Sequence, residues 1–313
     1  MVFKNNVKKS TLDIYEKNYN KLAIDVLGHI SPESFEWLED FEKIMEVINK
    51  SPSYHTRKNK INTVVVYLNL LEEEDKNVKV ENVIKKYNNE ISNLTKLIND
   101  NYKLNTKNDK QKNNWMTLEE LNNVLIELKK DIPITIRNYS DYKKLLYYLM
   151  LATHLEFPIR NDLADCKIYQ EKEFNKIEED DTVNYIVINK KGGYLILNNY
   201  KTSGTYGRKK ISLSKNLYSI YKKYYDVIIN NTKDKWIFID SNLNKLNRNG
   251  YTNLFNNLFK SLNINKNISS SLIRHIVISE KFPVSAGEMK SKSDLAYIMG
   301  HSVNEANLVY SKA

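Results

Sequence analysis

Between Asn99 and Asn114 the chain reads NDNYKLNTKNDKQKNN, with almost nothing that could be buried. A stretch of this kind cannot join a hydrophobic core, so it divides the chain into two separate folding problems. At 313 residues, each side is long enough to close a core without disulfides. The organisation expected is a charged lead-in over 1–20, a first domain over 21–100, a linker over 101–114 and a second domain over 115–313.

The first domain has helical periodicity throughout. Phe35, Leu38, Phe41, Ile44, Met45 and Ile48 recur at the spacing of one helix face, after Ser31-Pro32-Glu33-Ser34 as a start signal. Ser51-Pro52 interrupts the pattern, and Thr56 is expected to cap a helix carrying Ile61, Val64, Val65 and Leu68. Val83, Tyr87, Ile91, Leu94 and Ile98 mark another helix, so this half is predicted to be all-α.

The second domain opens on Thr117 and Glu120, spaced as a capping box. Tyr142 to Leu155 is apolar enough to be a central, buried helix. Short strands are predicted at 185–188, 194–198 and 209–213, the first two joined by the turn Lys190-Lys191-Gly192-Gly193. Beyond Ser214 the pattern is helical again, apart from an extended piece at Trp236–Ile239. The fold class expected is mainly α with a small antiparallel β-sheet, an all-α first domain preceding a mixed α+β second domain.

With 48 Lys and Arg against 38 Asp and Glu, the chain has a net charge of +10 and a pI near 9.2. That balance favours a polyanionic partner such as nucleic acid. The single cysteine, Cys166, excludes a disulfide framework and a cysteine-rich zinc site. It falls where a core role is expected. His29, His55 and His154 show no metal-ligand spacing, and no metal or other cofactor is expected. The first residues are polar, without the apolar stretch of a signal peptide, and the apolar run Val64–Leu71 is too short to span a bilayer. An intracellular protein with no membrane partner is expected.

Several residue types needed for phosphodiester chemistry occur in order. Breaking such a bond without a metal requires a nucleophile, cations to hold the non-bridging oxygens, a proton acceptor and a proton donor. Arg160 and Arg274 suit the phosphate role because a planar guanidinium binds two oxygens and keeps its charge. Asp162 is near enough in sequence to orient Arg160. Ser271, Arg274 and His275 share one face of a helix predicted over Ser270–Glu280. Lys201 follows the second strand and could reach a leaving oxygen, as could Lys190, Lys191, Lys209 or Lys210 nearby. His301 follows Gly300, which can end a helix, and Tyr310 lies close to the last residue. Taken singly, each arginine reads first as one end of a surface salt bridge, the histidine as structural and the tyrosine, one of 22, as packing.

Taken together, the ordered set resembles the tyrosine recombinase family, the phage-type integrases. The resemblance is carried by Leu272-Ile273-Arg274-His275, by Leu295-Ala296-Tyr297-Ile298-Met299-Gly300-His301-Ser302, and by Tyr310 beyond them. Pro158-Ile159-Arg160-Asn161-Asp162 and Tyr200-Lys201-Thr202-Ser203 look more like the branch found in virophages, large DNA viruses and eukaryotic mobile elements. The resemblance covers 115–313 closely and the first domain by architecture. It implies a metal-independent strand transferase that cuts and rejoins DNA through a 3′-phosphotyrosine, for integration or excision of a mobile or viral element. The implied partners are double-stranded DNA and three further copies, as a homotetramer on two duplexes. The implied roles are nucleophile for Tyr310, phosphate stabilisation for Arg160 and Arg274, proton donation for Lys201 and assistance for His301.

Two departures accompany the resemblance. Ser271 stands where the family usually has a histidine, which leaves the proton acceptor to Ser271, His275 or water. Only Ser311, Lys312 and Ala313 follow Tyr310, so surfaces other than a long tail helix are expected to carry subunit contacts. The basic helix start at Arg57, Lys58 and Lys60 is the expected DNA face of the first domain. The alternatives of the same chemistry or partner are a type IB topoisomerase and a DNA-binding protein whose active site has decayed.

Overall fold

The computed structural model describes residues 9–30, 35–71, 78–281, 296–302, 305, 309 and 310. The expected helix start at 31–34, residues 294 and 295 and the tail at 311–313 lie outside them. The chain divides into two compact units, Met1–Leu104 and Asn105–Ala313.

The first unit is helical: α1 (Lys9–Leu27), α2 (Phe41–Asn49), α3 (Tyr54–Leu68) and α4 (Val78–Lys103), with a 3-10 turn at Glu36–Glu39. Ordered helix thus reaches well into the expected lead-in, because Tyr19 and Leu22 have a core to join. Tyr19 stacks on Tyr67 with ring centroids 4.1 Å apart. The single helix face expected over Phe35–Ile48 is split in two. Asp40 breaks it by turning its carboxylate onto the Lys43 amide at 3.2 Å, capping α2. Tyr87 closes the core by donating its hydroxyl to the Leu38 carbonyl at 2.9 Å. The cap of α3 is Ser53, whose hydroxyl accepts from the Thr56 amide; Thr56, expected in that role, already lies inside the helix.

The second unit opens with α5 (Asp109–Asn114), inside the polar segment read as linker, and α6 (Leu118–Lys130). Thr117 and Glu120 make the capping box expected of them, with reciprocal bonds of 3.1 and 2.7 Å. The next helix, α7 (Tyr139–Glu156), is buried continuously from Leu145 to Leu155. It is surrounded by α6, α10 (Lys215–Asn231), α11 (Arg248–Ser261) and α12 (Ser270–Lys281). Enclosure on all sides explains why the stretch from Leu145 to Leu155 has no exposed polar face.

The expected strands form as β2 (Asn184–Ile188), β3 (Gly193–Leu197) and β4 (Lys209–Ser212), in an antiparallel meander. A further strand, β1 (Cys166–Gln170), runs parallel to β2, which makes the sheet mixed. Two short helices, α8 (Glu171–Phe174) and α9 (Ser203–Tyr206), sit in its connections. The extended piece expected at Trp236–Ile239 lies along the outer side of β1: the Ile168 amide donates to Lys235 and the Ile237 amide to Cys166. Cys166 is buried in this edge, and burial pushes its thiol well above the usual range, as a core role requires.

The register fixes which segments meet. Cys166 pairs with Asn184, Tyr185 with Ile196 and Leu197 with Lys209. The start of β1, the start of β2, the end of β3 and the start of β4 therefore share one end of the sheet. Arg160, six residues before β1, and Lys201, between β3 and β4, emerge there.

Truncating Leu149, wholly buried in α7, should cost about 2–5 kcal/mol as Leu149→Ala through lost transfer energy and the cavity left behind. Urea unfolding of the full chain measures it. A shift confined to the transition that exposes Cys166 is the expected outcome.

Candidate active site

The site is assembled where α7 has ended and the sheet has not yet begun. After Glu156 the chain passes through Phe157-Pro158-Ile159 to Arg160, which caps a 3-10 turn at Asn161–Asp165. The turn is tied down on two sides. Asn161 donates to the Thr252 hydroxyl at 2.7 Å and accepts from the Ser270 hydroxyl at 2.6 Å, linking it to α11 and α12. Asn184, fully buried at the start of β2, donates to the Asp162 carbonyl at 2.6 Å and the Asn199 carbonyl at 3.0 Å. Its amide oxygen accepts from the Asn198 and Asn199 amides. One side chain thus binds the Arg160 turn to the start of the segment that carries Lys201.

Arg274 projects from α12 into the same space and is 2% exposed. A guanidinium nitrogen of Arg160 and one of Arg274 each lie 2.8 Å from Nε2 of His301. Guanidinium can only donate, so Nε2 must be the acceptor and the ring proton must be on Nδ1. Nδ1 in turn lies 3.1 Å from the Glu305 carboxylate, four residues further on. Burial first, then the two guanidinium charges, hold the His301 imidazole down at about 4 against an ordinary 6.5. At neutral pH it is an uncharged acceptor between two cations.

His301 is aimed by the turn before it. Residues 296–299 form a helical turn that ends at Gly300, whose φ of +68° lies in the left-handed region. A Cβ there would stand 2.6 Å from the Thr202 hydroxyl, so conformation and space both require glycine. Tyr310 packs against Ile278 and Met299 and is 8% exposed. The Arg274 guanidinium carbon sits 4.3 Å from the centre of its ring. Burial lowers Arg274 only to about 10, so it stays charged at neutral pH. Its Nε is buried with no hydrogen-bond partner.

Four of the expected residues, Arg160, Arg274, His301 and Tyr310, are thus brought together. His275 joins them from α12, but it faces the main chain: Nδ1 lies 3.2 Å from the Tyr310 carbonyl, with ring centroids 5.1 Å apart. Ser271 is exposed in the first turn of α12. Lys201 is exposed in the turn after β3, next to Thr202, whose hydroxyl donates to the Gly300 carbonyl at 2.9 Å. Asp162 takes Arg248 as its nearest ion-pair partner, at 3.7 Å, in place of the Arg160 expected. Its carboxyl is raised by burial against the pull of the surrounding arginines.

In the first unit, Arg57 donates to the Ser51 carbonyl at 2.5 Å and Lys58 to the Thr95 hydroxyl at 2.7 Å. Both act within that unit, while Lys60 is half-buried on the same helix. Among the described residues, no three His, Cys, Asp or Glu side chains gather as a metal-binding group. Gly300 ends its helical turn as its sequence suggests, whereas Glu305 as the partner of His301 was not expected; the spacing of four from His301 to Glu305 was the available signal.

No protein-family model and no curated protein matches the sequence. Solved structures do. The chain is similar to the Tn1549 transposon integrase in complex with transposon right end DNA, with a TM-score of 0.59 at 17% identity, covering 99% of this chain and 91% of that one. It is also similar to the XerH site-specific recombinase bound to difH substrate in a pre-cleavage complex, with a TM-score of 0.51 at 12% identity over 95% and 74% of the two chains. The chain has the tyrosine recombinase fold. Within that fold, the arginine pair and His301 occupy one end of the sheet, with Tyr310 beside them.

The neutral state of His301 has a thermodynamic signature. Its folded-state pKa is depressed, so the unfolded chain binds a proton that the folded one refuses, and stability present above pH 6.5 is lost as the pH falls towards about 4. In DNA-free protein, the His301 ring nitrogens followed by NMR should still report the neutral form at pH 5. Denaturation of His301→Gln should lose less stability than wild type across that window.

Proposed function

We propose that this protein is a site-specific DNA recombinase of the tyrosine recombinase family, acting as the integrase of a mobile or viral element. The observation that carries the reading is the convergence of two guanidinium groups, one buried and one half-buried, on one acceptor position beside Tyr310. Two cations aimed at one point form a receptor for an oxygen bearing negative charge. The solved structures of this fold include an integrase in complex with transposon end DNA and a recombinase bound to its substrate, which supports duplex DNA as the ligand.

In the proposed reaction the Tyr310 hydroxyl attacks a DNA phosphorus. A Tyr–O–P bond forms, the bond from phosphorus to the 5′ oxygen breaks, and a 3′-phosphotyrosine and a 5′-hydroxyl result. Arg160 and Arg274 hold the non-bridging oxygens, with the Arg274 Nε, already buried and unsatisfied, supplying a further donor. The Arg274 guanidinium, 4.3 Å from the centre of the Tyr310 ring, places a positive charge beside the attacking group. The phenol's proton passes to His275, whose ring lies beside the Tyr310 ring with centroids 5.1 Å apart, or to water. Lys201 protonates the leaving 5′ oxygen. Attack of a 5′-hydroxyl on the phosphotyrosine reverses these steps and rejoins a strand, so the reaction needs no outside energy source. The homotetramer on two duplexes, the choice between integration and excision and the virophage-like affiliation belong to the same proposal. So do the phosphate contacts at the start of α3, where Arg57 and Lys58 make hydrogen bonds within the unit.

A target site selected from random-sequence duplex DNA by the Tyr310→Phe variant provides the substrate. Wild type should give a protein–DNA adduct resistant to denaturant on a nicked version of that site. Tyr310→Phe should bind with unchanged affinity and give none. An adduct with the Phe variant would remove Tyr310 from the role. Binding without any wild-type adduct would indicate a decayed site, and relaxation of plasmids that lack the site would indicate a topoisomerase. Arg274→Lys, which loses the planar fork, should slow adduct formation by roughly 10²–10³-fold.

A further inference from the structure

Lys209 opens β4 and is completely buried, yet it makes no ion pair among the described residues. Its ammonium lies in a cage of three tyrosines, with Nζ 4.9 Å from the ring centre of Tyr200, 5.3 Å from Tyr206 and 4.8 Å from Tyr297. Nζ also donates to the Tyr297 carbonyl, which accepts from the Gly300 amide as well. Ring faces and a carbonyl together replace the hydration of a buried cation. Burial lowers the ammonium only to about 8, so the cage holds a charged group at neutral pH.

The cage spans two segments that are far apart in sequence. Tyr200 and Tyr206 belong to the connection between β3 and β4 that carries Lys201, and Tyr297 belongs to the turn that aims His301. A second contact joins the same two segments, from the Thr202 hydroxyl to the Gly300 carbonyl at 2.9 Å. Gly300 lies so close to this joint that an added Cβ would come within 3.3 Å of the Lys209 ammonium. His301 has independent restraints in Arg160, Arg274 and Glu305. The connection carrying Lys201 is tied at its start to the Arg160 turn through Asn184, and beyond that point to the Gly300–His301 turn through Lys209 and Thr202.

We propose that Lys209 is a positioning residue, whose caged ammonium clasps the 198–208 connection to the Gly300–His301 turn and so sets Lys201 against the arginine pair. The catalytic part of this inference rests on the proton-donor role proposed for Lys201. If the clasp acts through that donor, its loss should matter only when the leaving group needs a proton.

The test compares two nicked duplexes carrying the selected site, one with the ordinary 5′ oxygen and one with a 5′-bridging sulfur, which departs as a thiolate without protonation. On oxygen DNA, Lys209→Met should form adduct on the order of 10²-fold more slowly than wild type, the loss typical of a misplaced proton donor. On sulfur DNA it should approach the wild-type rate. Lys209→Arg, which keeps a cation, should recover part of the oxygen rate. Adding Lys201→Ala to Lys209→Met should be no slower than Lys201→Ala alone, since both remove one function. Hydrogen exchange of the 198–208 amides in DNA-free protein should accelerate, with α7 and α10 unchanged. Thr202→Val should repeat the pattern more weakly and serves if Lys209→Met fails to fold. Equal slowing on both duplexes, or unchanged exchange over 198–208, would overturn the clasp. No adduct from wild type on either duplex would instead refute the recombinase reading, and the exchange measurement would still decide whether Lys209 holds the connection.

Discussion

Two guanidinium groups directed at a single imidazole nitrogen repel one another, and one of them is buried. Left to themselves, such groups would separate into water. The second unit is organised to prevent this. Arg274 is fixed by a helix packed into the core, and Arg160 by a turn that Asn161 and Asn184 fasten to two helices and the sheet. Neutral His301, with Glu305 behind it, accepts a bond from each cation and adds no charge of its own. Held in this way, the pair is preorganised for an anion, and no reorganisation cost falls on the moment of binding.

The same principle explains the sheet. Four short strands are a modest scaffold, but their register brings four chain ends to one place. Arg160 arrives from before β1, Asn184 begins β2, and the connection bearing Lys201 leaves β3 and returns as Lys209. Helices supply the remaining groups at the ends or faces of long, buried segments. Side chains fixed to such elements have little freedom to drift from the geometry that the proposed chemistry needs.

Much of this was legible in the sequence where a local rule was sufficient. The capping box at Thr117, the apolar run of α7 and the strands around Gly192-Gly193 declare themselves through neighbouring residues. The order of Arg160, Arg274, His301 and Tyr310 pointed to one site through a family resemblance, and these four side chains do meet. What escaped was set by distant contacts. The strand β1 is short and follows directly on a 3-10 turn, and it is recognisable only beside β2 and the 235–237 segment. Asp40 and Ser53 displaced the helix boundaries because a cap depends on backbone direction as well as residue type. Lys209 was one of several lysines in a row until the fold closed three tyrosines around it, and Ser271 was placed on the helix face of Arg274 yet is exposed.

The central helix α7 has a consequence for how the chain is made. From Leu145 to Leu155 it is buried on every side, and α10, α11 and α12, which pack against it, come later in the sequence. On a ribosome, α7 emerges long before its last cover does. The second unit therefore cannot close its core in stages, and the interval during which α7 lies uncovered is set by the speed of synthesis. A truncation that removed α12 would uncover the part of α7 that α12 packs against, leaving an apolar surface on the rest of the unit.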